Sequence, residues 1–248
     1  MLATINRTSA VTNRALQQLR RDHRFLGISL MFPVIIIYFI KVVFDVLGSP
    51  FFDISVYVIP YGAFIVHFVT FILTAIVLVR ERTAGTLARM FVSGYSQIEI
   101  IGGYILAYSV LATLQSLLVL IELNTLFELG YDAAQLASVF LVMWLLAVIS
   151  MALGILVSNF ARNEGQVFPF IPLVLLSIIL SGILLPVEQL PEWAQALSYA
   201  TPLFYANEVL QKLIGGGVLS DDWIGLVSIP LYGLAVLSLA MLSLRETD

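Results

Sequence analysis

Cysteine is absent from this sequence, lysine occurs only at Lys41 and Lys212, and histidine only at His23 and His67. Without thiols there are no disulfide staples, thiolate metal sites or cysteine nucleophiles, and the redox compartment stays undetermined. Charge is scarce too: charged residues make up 11% of 248 residues, against 60% hydrophobic. A mean hydropathy of +1.00 describes more apolar surface than one water-facing globule can hide. The net charge of −4 argues against nucleic acid as a partner, because a phosphate backbone calls for a basic face. Neither lysine follows a glycine, so the G-x-x-x-x-G-K-[ST] phosphate cradle is missing. The glycine run Gly215, Gly216 and Gly217 has no such lysine.

What is abundant is long apolar runs. A span needs roughly 20 mostly apolar residues to cross a hydrocarbon core about 30 Å thick. Six segments meet that need, at 25–46, 54–79, 98–127, 136–158, 167–185 and 223–244. In lipid every backbone N–H and C=O must be satisfied within its own segment or a closed barrel. The alternation of a barrel strand is missing, so all six are expected to be helices. The first 24 residues are polar, so the first run is expected to stay as an anchor rather than be cleaved.

Arg7, Arg14, Arg20, Arg21 and Arg24 precede the first run, and Arg80, Arg82 and Arg89 lie between the second and third. Arg162 lies between the fourth and fifth, and Arg245 follows the sixth. Only Lys41 and Lys212 fall on the other side. The positive-inside rule then predicts that both termini are cytoplasmic, and the expected location is the cytoplasmic (inner) membrane. The outer side collects Asp45, Asp53, Glu128, Asp132, Glu188, Glu192, Glu208, Asp221 and Asp222.

Residues 78–91, LVRERTAGTLARMF, form the longest inner connection. Leu87, Met90 and Phe91 recur at helical spacing on one face and Arg82, Thr86 and Arg89 on another. The pattern predicts a surface helix whose apolar stripe sinks toward the acyl boundary. Residues 10–24 predict a second amphipathic helix, with Ala15, Leu16 and Leu19 apolar and Arg14, Gln17, Arg20 and Arg21 solvated.

The run R-E-R-T-A-G-T-L-A-R resembles the inner loop of the type 2 ABC transporter permease family, through Glu81, Gly85, Thr86, Leu87 and Arg89. Residues 181–210, SGILLPVEQLPEWAQALSYATPLFYANEVL, are similar to that family's segment after the fifth span. The resemblance covers about residue 10 to the end. It implies an all-α polytopic membrane protein with six transmembrane helices, an amphipathic connecting helix and a coupling helix over residues 80–91. Glu81, Arg82, Thr86, Leu87 and Arg89 would then make the ATPase contacts, and Gly85 would allow close backbone approach. The family implies the membrane subunit of an exporter of drugs or lipids, paired with a second permease, as a homodimer or with a similar permease, and with two cytosolic ATPase subunits. Those subunits, and not this chain, would hold ATP and Mg. The chain is expected to form one domain, 1–248, comprising a polar segment 1–24, five spans in 25–185, an outer re-entrant hairpin 186–222, and the last span with its tail, 223–248.

The hairpin also follows from its residues. Pro191 suits the first turn of a short helix ending near Tyr199, and Thr201 can cap a second beginning at Pro202 and closed by Gly215. Pro186 precedes both. Trp193, Tyr199, Phe204 and Tyr205 suit the headgroup level, and membrane lipids are the expected surroundings.

Ionisable groups within spans are costly, by about 2.5 to 3.5 kcal/mol on insertion scales. His67, with Tyr61, Phe64 and Phe68, is a candidate for the substrate pathway. The structural alternative pairs His67 with a hydroxyl across a helix interface. Gln115 and Glu122 are one heptad apart and can share a face; Glu122 either partners a cation or proton, or reaches outer water. No second metal-spaced ligand accompanies either, so no metal site is expected. Pro33, Pro60, Pro169, Pro172 and Pro230 are expected to kink spans, Gly102, Gly103 and Gly154 to permit close helix contact, and Asn163 and Glu164 to form a solvated cap. A self-sufficient secondary transporter or channel is the alternative, but it calls for an internal duplication that the sequence does not display. An intramembrane enzyme calls for a nucleophile with a base, which the spans do not supply.

Overall fold

The computed structural model describes residues 2–47 and 55–244, so Asp53 and Arg245 lie outside the described residues. The apolar runs become α2 (His23–Leu47), α3 (Ser55–Thr83), α5 (Gln97–Leu126), α6 (Ala133–Ser158) and α10 (Trp223–Ser243). Ahead of them lies α1 (Leu2–Arg21), and the connections hold α4 (Thr86–Val92), α8 (Glu192–Ser198) and α9 (Pro202–Ile214). Among the described residues five helices are long and apolar enough to cross a membrane, and there is no strand.

The fifth run departs from expectation. It is a 3₁₀ stretch, Glu164–Phe170, followed by α7 (Ile171–Leu180), and the chain turns at Ser181–Gly182 rather than continuing to 185. Pro169 lies in the 3₁₀ stretch and Pro172 starts α7, so this pair sets up a helix start instead of a kink. At about 2.0 Å per 3₁₀ residue and 1.5 Å per α residue, the segment reaches close to 30 Å, near the thickness of the hydrocarbon core.

Packing centres on α3 and α6, the most buried spans, while α2 and α10 are the least buried. Small side chains bring the central pair together: a Cβ on Gly154 would stand 2.7 Å from the Phe71 carbonyl oxygen and 3.0 Å from the Ala75 nitrogen. Without a hydrophobic drive between helices in lipid, such close approach is the main source of cohesion. Gly103 plays a similar part between α5 and α1, where its Cβ would meet Val11 Cβ at 2.5 Å. Gly102 is not crowded in this way, its nearest contact being Thr8 Cγ2 at 3.7 Å. Buried Val11, Ala15 and Leu19 place α1 against the bundle.

The alternating spans give the bundle two unlike ends. One end gathers α1, α4, the last turns of α3, α6 and α10, and the start of α5. At the other, Gln211 donates to the Val56 carbonyl, Gln135 to that of Leu213, and Lys212 pairs with Asp222 at 2.9 Å. Lys41 pairs with Asp45 one turn along α2.

Candidate functional site

Successive residues of a helix point about 100° apart, and the last turn of α3 puts three polar residues in a row. Arg80 donates from Nε and Nη2 to both carboxylate oxygens of Glu164, at 2.8 and 3.1 Å, so Glu164 is a bidentate partner rather than a solvated cap. Glu81 is 3% exposed and accepts from Arg14 Nη2 at 2.8 Å. Arg14 also donates to the Tyr104 hydroxyl at 3.0 Å. Desolvation pulls the Arg14 guanidinium down, but the bonds and charges around it hold it above its ordinary value. Arg14 is therefore bound, not solvated. Arg82 donates to the carbonyls of Ser158 and Ala161 and to Asn159 Oδ1, and Asn159 Nδ2 continues to the Ala240 carbonyl and Ser243 Oγ. Three adjacent side chains thus tie the end of α3 to the 3₁₀ segment, to α1, and to α6 with α10.

The surface helix is shorter than 80–91. Residues 80–83 complete α3, the chain reverses at Ala84–Gly85, and α4 begins at Thr86. Gly85 adopts φ +68°, and a Cβ there would meet only Arg89 Nη1 at 3.6 Å, so backbone conformation rather than crowding selects glycine. Leu87 and Met90 are buried against the protein core, not the acyl boundary. Arg89 is exposed and donates to Thr86 Oγ1 at 3.1 Å, and Val92 is 91% exposed. A hollow of about 200 Å³ separates α4 from α1, lined by residues including Ala10, Arg14, Thr86, Arg89 and Tyr95. Glu81 is buried and Arg82 is engaged by α6, which leaves Arg89 and Val92 on the outward face of α4.

Two anchors here escaped the sequence reading. Ser96 and Glu99 form a reciprocal cap at the start of α5, and Arg7 reaches Glu99 at 3.7 Å and the Gly94 carbonyl. The Ser-x-x-Glu spacing carries that signal in the sequence. Asn159 is neutral and falls at a helix end, so nothing local marks its role.

Within the spans, Tyr61, Phe64 and Phe68 are partly exposed along one side of α3, with the Phe64 and Phe68 rings stacked at 6.0 Å. His67 is turned away from them, fully buried, with Nδ1 at 2.6 Å from Ser150 Oγ on α6. The Ser150 Oγ also stands 2.6 Å from the Leu146 carbonyl of its own helix, so the hydroxyl sits between the imidazole and the α6 backbone. The pairing across a helix interface is the arrangement found. His67 also lines a cavity of about 200 Å³ with Phe71, Ser177, Thr201 and Tyr232. Replacing Ser150 by Ala leaves His67 Nδ1 without its partner. The expected cost is about 1–3 kcal/mol, read as a lowered thermal midpoint in detergent; an unchanged midpoint would show the bond to be dispensable.

Gln115 and Glu122 do not act together. Gln115 is buried and fully engaged, donating to the Ser29 carbonyl at 2.7 Å and accepting from Thr70 at 3.1 Å, so it links α2, α3 and α5. Glu122 keeps a buried Oε2 without a hydrogen-bond partner among the described residues.

A family model described as ABC-2 type transporter matches residues 6–214. The chain belongs to that family. As an ABC-2 protein with these helices it is an integral, multi-pass membrane protein. It is 25% identical over 180 residues to ABC transporter G family member 20 of Dictyostelium discoideum, covering 71% of this chain and 24% of that protein. It is 27% identical over 143 residues to the probable multidrug ABC transporter permease YbhR of Escherichia coli, covering 57% of this chain and 39% of that protein. A further relative is the linearmycin resistance permease protein LnrN of Bacillus subtilis, 25% identical over 160 residues, 64% of this chain and 41% of that protein. The chain therefore spans about a quarter to two fifths of the length of these relatives.

In this ABC-2 chain the segment after α7 forms two short helices, as its prolines require. Pro186 opens a 3₁₀ turn, Pro191 precedes α8 and Pro202 starts α9. Thr201 occupies the cap position without capping, because its hydroxyl bonds back to the Ser198 carbonyl. Leu203, Ala206, Val209, Leu210 and Leu213 bury α9 in the core. Phe204 is buried between Tyr199 and Tyr205, whereas Trp193 is 67% exposed. Tyr205 donates to the Tyr199 carbonyl.

Proposed function

We propose that this chain is the permease subunit of an ATP-binding cassette exporter, driven by a separate cytosolic ATPase seated on the outward face of α4. The observation that carries this reading is the platform itself. Leu87 and Met90 anchor α4 in the core while Arg89 and Val92 point outward, a charge beside an apolar contact on a rigidly held helix. The basic residues gathered at this end favour a cytoplasmic location in the inner membrane. Gly85, Thr86 and Leu87 shape the platform, and Arg89 makes the polar contact.

Closure of two ATPase copies, which would hold the ATP and Mg, would push α4. The end of α3 would pass that push to α1, α6 and α10 through Glu81 and Arg82, so the spans would move as packed bodies. A second permease copy, as a homodimer, completes the pathway. The partly exposed Tyr61, Phe64 and Phe68 suit an amphipathic drug or lipid as cargo. The multidrug and linearmycin-resistance names of two relatives support that class. Residues 186–222 form the outer hairpin of the single domain, with Pro186, Pro191, Trp193, Pro202 and Tyr205 setting its shape.

Because the sequence lacks cysteine, Val92→Cys gives a single crosslinking site without background. The expected result in intact membranes is a specific adduct with a nucleotide-hydrolysing protein; an adduct only with lipid or with this chain itself would reject the docking face. Gly85 gives a second test. Gly85→Ala is expected to cost about 1–2 kcal/mol from its left-handed backbone, and Gly85→Asn, which tolerates that conformation, to restore thermal stability. If the ATPase backbone approaches Gly85 closely, Asn still fails to restore coupled ATP hydrolysis. Restoration of both would make Gly85 a turn residue alone.

A further inference from the structure

A sizeable cleft lies away from α4, where three spans end together. It is an open cleft of about 710 Å³ between the last turns of α3, α6 and α10, lined by Arg82, Asn159, Arg162 and Ser243 and flanked by Phe160 and Leu242. It shares no lining residue with the hollow beside α4. Among the described residues no carboxylate lines it, although it contains two arginines. Arg82 and Asn159 are held by bonds to α6 and α10, so the polar floor is pre-organised. Arg162 is exposed, and its backbone N–H is fixed by Gln166 Oε1 at 2.7 Å.

The flanks are apolar and open: Phe160 is 65% exposed and Leu242 82%. Below Leu242 the exposed Leu239, Leu234 and Leu231 continue down α10, which marks a surface for acyl chains. A cationic floor at the level where spans end, with apolar walls leading into the hydrocarbon, has the shape and chemistry of an anionic phospholipid. We propose that this cleft binds the phosphodiester headgroup of an anionic lipid from the same leaflet, with Arg162 as its mobile cation and the acyl chains lying past Phe160 and Leu242. The lipid would bridge α3, α6 and α10 at the end that Arg82 already joins. This site is independent of whether α4 carries an ATPase.

Native mass spectrometry of the full chain, delipidated and titrated with phosphatidylglycerol or phosphatidylcholine, tests this. Arg162→Gln is expected to weaken phosphatidylglycerol about fivefold, the effect of one basic side chain at an anionic surface. Phosphatidylcholine should be unaffected, and Arg162→Lys should retain the preference. Arg162 bonds through its backbone, so these variants leave the helix ends intact. Equal phosphatidylglycerol affinity in wild type and Arg162→Gln overturns the proposal. So does inorganic phosphate that competes for the site as tightly as the lipid, which would make the ligand a soluble anion.

Discussion

Arg14→Gln is expected to destabilise the chain by about 3–5 kcal/mol, whereas Glu81→Gln should cost clearly less. The asymmetry follows from burial. The Glu81 side chain is 3% exposed and that of Arg14 39%. Removing Arg14 leaves a carboxylate in the interior with its strongest partner gone, the costly way to break a buried pair. Removing the Glu81 charge leaves a guanidinium that water and the Tyr104 hydroxyl can still serve. The double variant Arg14→Gln with Glu81→Gln should therefore be more stable than Arg14→Gln alone. Thermal unfolding in detergent, followed by monodispersity, gives the three values. Equal losses for the two single variants, with additive loss in the double, would mean the pair is only a surface contact.

A comparable loss is expected at the crossing of the central spans. Gly154→Leu should prevent the folded bundle from accumulating, because even its first carbon would enter contact with two backbone atoms of α3, Phe71 O at 2.7 Å and Ala75 N at 3.0 Å. Backbone cannot swing aside as a side chain does, so the two spans must part. Gly154→Ala should cost about 1–3 kcal/mol by the same overpacking. Gly102→Ala is the control, as its nearest neighbour is 3.7 Å away. Similar thermal midpoints for the two alanine variants would contradict the tight crossing.

How much of this was legible depended on the range of the interaction. Span positions were legible because length and apolarity are local, and the two hairpin helices because Pro191, Pro202 and Gly215 punctuate them locally. The partners of Glu81 and Arg82 were not, since they sit 67 and more than 75 residues away and ordinary charges in a loop look solvated. Leu87 and Met90 form an apolar stripe that reads the same whether it meets lipid or protein, because both are equally apolar. His67 could be paired in principle with any hydroxyl at its depth; only packing chose Ser150. The shortening of the fifth run was written in Pro169 and Pro172, but a proline pair within an apolar run reads equally as a kink or as a new helix start.

Reconstitution of the full chain into proteoliposomes, with and without the cytosolic ATPase that crosslinks to Val92→Cys, tests the central claim most directly. The expected result is cargo accumulation that requires ATP and that ATPase together, and that falls when Arg89 is replaced by Glu. Cargo movement driven by an ion gradient with the chain alone, undiminished by Arg89→Glu, would contradict the account.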